Sequence, residues 1–331
     1  MSDVPSSIPD ISKEWSDAML GGDFEEAWRQ TDRIEIPRRA DRRAGIYQRR
    51  PEYLVWDGTS FDGKTVHVRC EHGLGDTIQF LRYLPRLKAR AERVIFSVQP
   101  LLLKLCEAAP GVDVLRNGWS PEPWPESDVE IECMEFPYAF RDSVKTLPGE
   151  VPYLDVELIR RTGKRMEVAN KERLNVGVTW SCSAWDNERS VPFPDLAPIW
   201  NVPGCDFYCL QQDVDFSNLQ RPLPFQIWSE HTTEIRDAAA ALLSLDLVIT
   251  VDSMLAHLAG ALGLPVFLLL KHHADWRWMS DRNDSPWYPR TRLFRQPAKG
   301  DWITATRSLS EALQQQRSEW SRSISRQSTN A

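Results

Sequence analysis

The stretch LVITVDSMLAHLAGALGLPVFLLL, residues 247–270, contains the pattern that decides the fold class. LVITVD predicts a buried strand, SMLAHLAGALG predicts a helix, and PVFLLL predicts a second buried strand. Asp252 and Ser253 stand where the first strand ends and the helix begins. Two buried strands joined by a helix indicate a parallel sheet with right-handed crossovers.

The same alternation of strands and helices fills most of the chain in two series. The first series runs through the apolar segments TVHVRC, RVIFSV, DVLR and VEIECM, with helical patterns at 76–90 and 101–111. Two prolines and a glycine in TLPGEVPYLDV, residues 146–156, interrupt it and indicate a domain boundary. The second series begins at LNVGVTW, residues 174–180, and includes the opening stretch.

We therefore predict an α/β fold in which two Rossmann-like parallel-sheet domains face a cleft, preceded by a short α-hairpin at 10–34. The predicted divisions are the α-hairpin with a connector at 1–50, a first domain at 51–150, a second domain at 151–300, a C-terminal helix at 301–322 and a disordered polar tail at 323–331.

The composition argues against several classes of function. The 331 residues carry a formal net charge of −7, whereas a nonspecific nucleic-acid binder needs a basic face to neutralise phosphates. The N-terminus lacks the basic and apolar regions of a signal peptide, and no apolar run reaches the ~20 residues that span a bilayer. The six cysteines form no CxxC pair, so we expect buried, reduced thiols in a cytoplasmic protein.

The motif Gly73-Leu74-Gly75-Asp76 follows the first predicted strand and opens a helix. Its glycines let the backbone approach a phosphate or an acceptor, and a helix N-terminus favours an anion. Ile78 stands where the dinucleotide fingerprint has its third glycine, so no NAD or FAD site is expected. Asp76 either caps the helix or acts as a base that faces the cleft.

A second candidate site consists of Asp252, Ser253, Met254 and His257 at a strand-to-helix turn. Backbone N–H groups at a helix start have no intrahelical partner and suit a diphosphate. An ordinary N-cap, with His257 packed inside the helix, explains the same residues.

A third candidate site begins at Trp180 and Ser181, where a predicted strand ends in a polar loop. Arg189 in that loop suits a phosphate because its planar guanidinium matches phosphate geometry. The alternative is a solvated surface loop.

The segment DWRWMSDRNDSPWYP, residues 275–289, interleaves aromatic rings with charges after a predicted strand. Asp275, Trp276 and Arg277, like Trp180 before them, suit contacts with a sugar or a base. The alternative is an aromatic brace that packs against the C-terminal helix.

No metal site is expected. Asp213-Val214-Asp215 has the DxD form that binds a metal in another class of sugar transferases, but three-residue matches are common by chance. His272-His273 has no carboxylate or cysteine at the spacing of a partner ligand.

The segments CEHGLGDTIQFLRYLP, VGVTW, VITVDSMLAHLAGALGLPV and DWRWMSDRNDSPWYP, in this order, resemble the ADP-heptose:lipopolysaccharide heptosyltransferase-like glycosyltransferases. The likeness covers about residues 52–315 and is greatest to the bacterial branch in which such a domain follows tetratricopeptide repeats. It implies a GT-B fold: two Rossmann-like domains, a nucleotide-sugar donor held mostly by the C-terminal one, and an acceptor facing the N-terminal one. The repeats are missing or reduced to the α-hairpin.

The resemblance implies roles for single residues. Asp76 aligns with the aspartate taken as general base on the acceptor hydroxyl. Asp252, Ser253 and His257 align with the motif at the donor diphosphate, and Arg189 falls near a basic residue used for the phosphates.

The chain departs from heptosyltransferases proper at Ser253 and Met254, where those enzymes usually have threonine and glycine. Serine keeps the hydroxyl, whereas methionine removes the conformational freedom of glycine. The donor sugar and the nucleotide base are therefore left open.

Our first hypothesis is an inverting, metal-independent glycosyltransferase, with a nucleotide-diphosphate sugar as substrate and no cofactor. The acceptor would be a hydroxyl of a carbohydrate or a protein. The alternative is a non-catalytic binding module of GT-B shape that contacts a protein partner through the N-terminal α-hairpin. A sugar-nucleotide epimerase is a third hypothesis, since those enzymes also use paired Rossmann domains.

Overall fold

The computed structural model describes residues 8–43, 55–168, 170, 172–182, 184–212, 214, 216, 222–228 and 234–329. The chain divides into two compact units. The first contains the residues up to Glu150 together with Ala274–Arg282, and the second contains Val151–His273 and the residues from Asn283 onward. The segment Ala274–Arg282 therefore belongs to the first unit, which corrects its assignment to a second domain at 151–300.

The first unit is built on a four-stranded parallel sheet, in the order β3-β2-β1-β4 along its described strands. Val94, Val66 and Val129 stand side by side across β2, β1 and β4, and all three are buried. The apolar runs that predicted these strands therefore form the sheet interior. The strands are β1 (Thr65–Arg69), β2 (Arg93–Val98), β3 (Val114–Asn117) and β4 (Val129–Glu132), and the helices are α1 (Ile8–Gly21), α2 (Phe24–Arg43), α3 (Leu74–Phe80), α4 (Leu84–Lys88), α5 (Leu103–Cys106) and α6 (Phe136–Ala139).

The second unit is built on a six-stranded parallel sheet, in the order β10-β9-β8-β5-β6-β7 along its described strands. Val178 pairs with Ile249, so the carboxyl ends of β5 and β8 lie side by side. The strands are β5 (Leu174–Val178), β6 (Cys205–Cys209), β7 (Gln226–Ile227), β8 (Leu247–Val251), β9 (Val266–Leu270) and β10 (Thr291–Arg295), and the helices are α7 (Val156–Thr162), α8 (Ala197–Trp200), α9 (Ile235–Leu242), α10 (Met254–Ala261) and α11 (Trp302–Thr329). The predicted α/β class with two parallel sheets is confirmed.

The predicted N-terminal α-hairpin is present as α1 and α2. Helix α2 continues to Arg43 with Pro37 inside it, so residues 35–43 are helical and not a connector. Phe24 and Trp28 are buried, and the Trp28 indole N–H donates to the Asp142 carbonyl over 2.7 Å. The helix pair is thereby anchored to the first unit.

Helix α11 continues through Thr329, beyond the end predicted at residue 322, so the residues from 323 to 329 are helical and not disordered. Leu309 and Leu313 are buried in the core of the second unit, and the Ser310 hydroxyl donates to the Pro198 carbonyl over 2.8 Å. Among the described helices, none combines the length and apolar character that crossing a bilayer requires.

Candidate functional site

The turn after β8 leaves the first N–H groups of helix α10 without a side-chain cap. Ser253 is the N-cap residue, with an extended backbone (φ −150°, ψ 172°), but its side chain makes no capping hydrogen bond. Within the described part of the chain, no acceptor pairs with the backbone N–H of Met254 or Leu255. Ser253 therefore occupies the N-cap position without a side-chain cap, and this helix N-terminus suits an anion.

Hydroxyl groups join the carboxyl ends of β5 and β8 beneath this turn. The Thr179 hydroxyl donates to the Thr250 hydroxyl over 2.8 Å, and the Ser253 hydroxyl lies 3.3 Å from the Thr250 hydroxyl. The Thr250 hydroxyl itself donates to the Val251 carbonyl over 2.9 Å. These contacts hold the Ser253 side chain against the carboxyl end of β8.

Two cations lie in the second unit close to the turn. The Arg189 guanidinium donates to the Asp252 carbonyl over 3.0 Å, and Asp252 is itself buried. The Lys271 ammonium, directly after β9, lies 2.7 Å from a carboxylate oxygen of Asp186. That carboxylate also lies 3.6 Å from Arg189, so Asp186 holds both cations together. Arg189 could be singled out from the sequence, whereas Lys271 could not, because it pairs with a residue 85 positions away.

His257 lies inside helix α10 and is buried. Its ring Nδ1 lies 2.9 Å from the Tyr288 hydroxyl. Tyr288 and Trp287, from the predicted aromatic segment, are fully buried in the second unit. A Cβ atom at Gly260 would lie 2.3 Å from the Tyr288 ring, so the ring packs directly on the helix backbone. His257 thus packs α10 against this aromatic segment.

Trp180 and Ser181 follow β5, and the Gln211 side chain accepts both of their backbone N–H groups, over 3.2 and 2.9 Å. The Trp180 ring is only 6% exposed and packs against Phe193 and Phe225, with ring centroids 5.3 and 5.8 Å apart. The predicted contact of Trp180 with a sugar or base is therefore wrong for its ring, because the core of the second unit covers it.

In the first unit, Asp76 forms the capping arrangement that the sequence analysis left open. Gly73 is the N-cap of α3, Gly75 lies in the first turn, and Asp76 is the third helical residue. One carboxylate oxygen of Asp76 accepts the Gly73 N–H over 2.9 Å. The other oxygen accepts from the Arg277 guanidinium over 2.7 Å. Asp76 is nevertheless 26% exposed, so the carboxylate remains in contact with solvent.

The predicted aromatic brace exists, but it packs against the N-terminal α-hairpin rather than the C-terminal helix. The Trp276 ring lies 6.0 Å from the Trp15 ring and 6.3 Å from the Phe24 ring, centroid to centroid. The Ser280 backbone N–H donates to the Leu20 carbonyl over 2.9 Å. These contacts hold Ala274–Arg282 in the first unit.

A second carboxyl group, that of Glu132, lies near Asp76 and was not singled out from the sequence. It ends β4, is buried, and accepts the Met134 N–H over 2.7 Å. Burial raises the pKa of Glu132, and the charge of Asp76 raises it further, whereas His72 lowers it. The His72 ring nitrogen lies 3.8 Å from the Glu132 carboxylate. Acidic side chains therefore lie close together at the carboxyl ends of β1 and β4.

In the described residues, no three His, Cys, Asp or Glu side chains cluster as metal ligands do. The His272 ring donates from Nδ1 to the Gln296 carbonyl over 3.1 Å. Asp213 and Asp215, the carboxylates of the DxD match, lie outside the described residues.

Comparison with solved structures shows which class of fold the two sheets define. The fold is similar to that of ADP-heptose LPS heptosyltransferase II from E. coli, at 14% identity over 76% of this chain and 99% of that one, with a TM-score of 0.50. It is also similar to the iron-containing dodecameric glycosyltransferase TibC from enterotoxigenic E. coli, at 14% identity over 80% of this chain and 78% of that one, with a TM-score of 0.51. The α/β fold with two parallel sheets is therefore shared with solved heptosyltransferases.

Among curated proteins, the chain is similar to protein FlbA of Caulobacter vibrioides. The two are 25% identical over 288 residues, which are 78% of this chain and 48% of FlbA. The chain thus spans about half the length of the curated relative that it matches. No family model matches the chain.

Proposed function

We propose that this chain is a glycosyltransferase that moves a sugar from a nucleotide-diphosphate donor to an acceptor hydroxyl. The observation that carries the proposal is the N-terminus of α10, where the N–H groups of Met254 and Leu255 lie uncapped beside Arg189. Departure of a nucleoside diphosphate places new negative charge on the β-phosphate. Fixed N–H dipoles and cations stabilise that charge without having to reorganise.

The diphosphate would replace Asp186 as the partner of the two cations. In the present geometry Asp186 neutralises Lys271 and Arg189, at 2.7 and 3.6 Å. A bound diphosphate carries more negative charge than one carboxylate and is a stronger partner for both side chains. Lys271 would thus add a donor-binding cation that the sequence did not suggest.

Asp76 would act as the base that takes the proton from the acceptor hydroxyl. Its carboxylate keeps lone pairs beyond those used by Gly73 and Arg277, and it is partly exposed. A positioned base contributes about 10²- to 10⁴-fold to such a transfer. Attack on the face of the sugar opposite the leaving diphosphate inverts the anomeric centre, and none of these roles calls for a metal.

The donor class is tested with ADP-D-β-D-heptose, which the TibC structure contains. We expect the chain to hydrolyse this donor slowly, with water in place of the acceptor hydroxyl, so that ADP and free heptose are released. The variant Asp76→Asn should bind ADP normally but hydrolyse the donor about 10²- to 10⁴-fold more slowly. Asp155→Asn is the matched control, since Asp155 caps α7 by accepting the Leu158 N–H over 2.9 Å. Full activity of Asp76→Asn would contradict the base role.

A non-catalytic binding module is the second candidate. It is favoured by the engagement of both Asp76 oxygens, one by a backbone N–H and one by Arg277, which is the pattern of a structural cap. Hydrolysis of the donor, measured beside calorimetric binding, separates the two functions. A module would bind ADP or ADP-heptose, or neither, and would release no ADP from the sugar nucleotide, whereas the transferase binds both and turns over the donor.

A further inference from the structure

We infer that Arg277 is a positioning residue that fixes the orientation of the Asp76 carboxylate. The inference rests on the proposed function, since it concerns the base of that reaction. The two residues are 201 positions apart in the chain but lie in the same compact unit. This role differs from the direct contact with a sugar or a base that the sequence predicted for Arg277.

Each nitrogen of the Arg277 guanidinium already has a protein acceptor. Nε donates to the Gln79 side-chain oxygen over 2.7 Å, and Nη1 donates to a carboxylate oxygen of Asp275 over 2.9 Å. Nη2 donates to Asp76 Oδ1 over 2.7 Å. A guanidinium that is held along all three of its edges cannot rotate without breaking at least two of these bonds. Its direction toward Asp76 is therefore fixed by Gln79 and Asp275.

Aromatic rings enclose the same guanidinium. Its central carbon lies 4.6 Å from the Trp276 ring centroid and 5.7 Å from the Phe80 ring centroid. The Arg277 side chain is only 7% exposed, whereas that of Asp76 is 26% exposed. Arg277 is thus the covered member of the pair and Asp76 the member that a substrate can reach. Exclusion of water strengthens a charge-assisted hydrogen bond of this kind.

The two bonds to Asp76 together determine the plane of its carboxylate. Oδ2 is held by the Gly73 N–H at the start of α3, and Oδ1 is held by Arg277. With both oxygens anchored, rotation about the Cβ–Cγ bond would break one anchor or the other. The remaining lone pairs then point in fixed directions, which is what a base needs in order to meet an acceptor proton.

The experiment measures kcat and KM for hydrolysis of ADP-D-β-D-heptose by the whole chain, with water as the acceptor of the sugar and released ADP as the measured product. We expect Arg277→Met to lower kcat about 10- to 100-fold while the donor KM changes less than about 3-fold, because misplacement of a reacting group acts on the chemical step. Arg277→Lys should recover part of kcat, and added guanidinium chloride at millimolar concentration should partly rescue Arg277→Met. In the Asp76→Asn background, Arg277→Met should cause no further loss.

Arg86→Met is the matched structural control. Arg86 also pairs with a carboxylate of the first unit, Asp142, at 2.7 Å, and its guanidinium also lies on a ring, 4.3 Å from the Phe140 centroid. Because the Arg86 side chain is 40% exposed, we expect this variant to lose less thermal stability than Arg277→Met and to keep its kcat.

The outcomes separate the inference from the proposed function. If the unmodified chain releases no ADP, or if Asp76→Asn is as active as the unmodified chain, the proposed function fails and this inference fails with it. If Asp76→Asn is inactive but Arg277→Met keeps the kcat of Arg86→Met, only the positioning role is overturned. Additive losses in the double variant would also overturn it, because they would show that Arg277 acts independently of Asp76.

Discussion

Replacing Met254 with proline would remove one backbone N–H from the proposed diphosphate site and leave the helix in place. Met254 is the first residue of α10, and proline is well tolerated at that position because its N–H has no intrahelical partner. Ser253 before it is already extended, at φ −150° and ψ 172°, as a residue that precedes proline must be. The substitution is therefore a local deletion of a hydrogen-bond donor.

The size of the effect follows from the bond that is lost. A hydrogen bond to a charged group contributes about 1.5–3 kcal/mol, and each 1.4 kcal/mol changes an affinity about tenfold. We therefore expect the Kd for ADP, measured by isothermal titration calorimetry, to rise about 10- to 150-fold in Met254→Pro. The melting temperature should stay within a few degrees of that of the unmodified chain.

Met254→Ala is the control that isolates the N–H group. It removes the same half-buried side chain but keeps the backbone donor. Its affinity for ADP should stay within about threefold of the unmodified chain. If Met254→Pro and Met254→Ala bind ADP equally well, the N-terminus of α10 does not hold the phosphates.

Three further predictions concern charge, pH and packing. Lys271→Met should weaken ADP binding several-fold, measured by calorimetry, with a change in unfolding free energy of less than about 1 kcal/mol, because its ion pair is partly exposed. Burial lowers the pKa of His67 to about 4, so the folded chain binds fewer protons there than the unfolded chain between that value and the ordinary pKa of 6.5. Stability is consequently lost as the pH falls through this window, by about 2 kcal/mol at pH 5 relative to pH 7.5, and urea titrations should show that His67→Gln lacks this loss. Gly260→Ala should lower the urea-unfolding free energy by about 2–3 kcal/mol, because the new methyl group would lie 2.3 Å from the Tyr288 ring.

Each of these predictions has a control in the same chain. Lys299 pairs with Glu188 at 2.7 Å but is 71% exposed, so Lys299→Met should leave ADP binding unchanged. His72 is 55% exposed, so His72→Gln should keep the loss of stability at acid pH that His67→Gln removes. Gly21→Ala should be nearly neutral, since no atom lies within 4 Å of its new methyl group. Equal effects in a variant and its control would contradict the corresponding reasoning.

The parallel sheets could be predicted because their central strands are continuous apolar runs. LVITV and VFLLL are buried along their whole length. Short apolar runs of this kind between helical patterns are typical of the strands of a parallel sheet. Strand β10, TRLFR, was missed because it has only two apolar residues, flanked by arginines, and follows an irregular, proline-containing segment. Helix α7 was missed because it has only 7 residues and follows the segment interpreted as a boundary.

The candidate site could be predicted only where it depends on local chain geometry. Asp252 and Ser253 were recognised because a strand-to-helix turn is visible in the sequence itself. The ion pair of Asp76 with Arg277 could not be predicted, because no local pattern shows that residues 274–282 return to the first unit. The burial of Trp180 could not be predicted either, because its partners Phe193 and Phe225 come from segments later in the chain.

A crystal structure of the chain with ADP would show whether the N-terminus of α10 holds the phosphates. We expect the β-phosphate within hydrogen-bonding distance of the Met254 and Leu255 N–H groups, with Lys271 turned from Asp186 toward the phosphate. ADP bound elsewhere on the second unit, with both N–H groups uncovered and the Lys271–Asp186 pair intact, would contradict it.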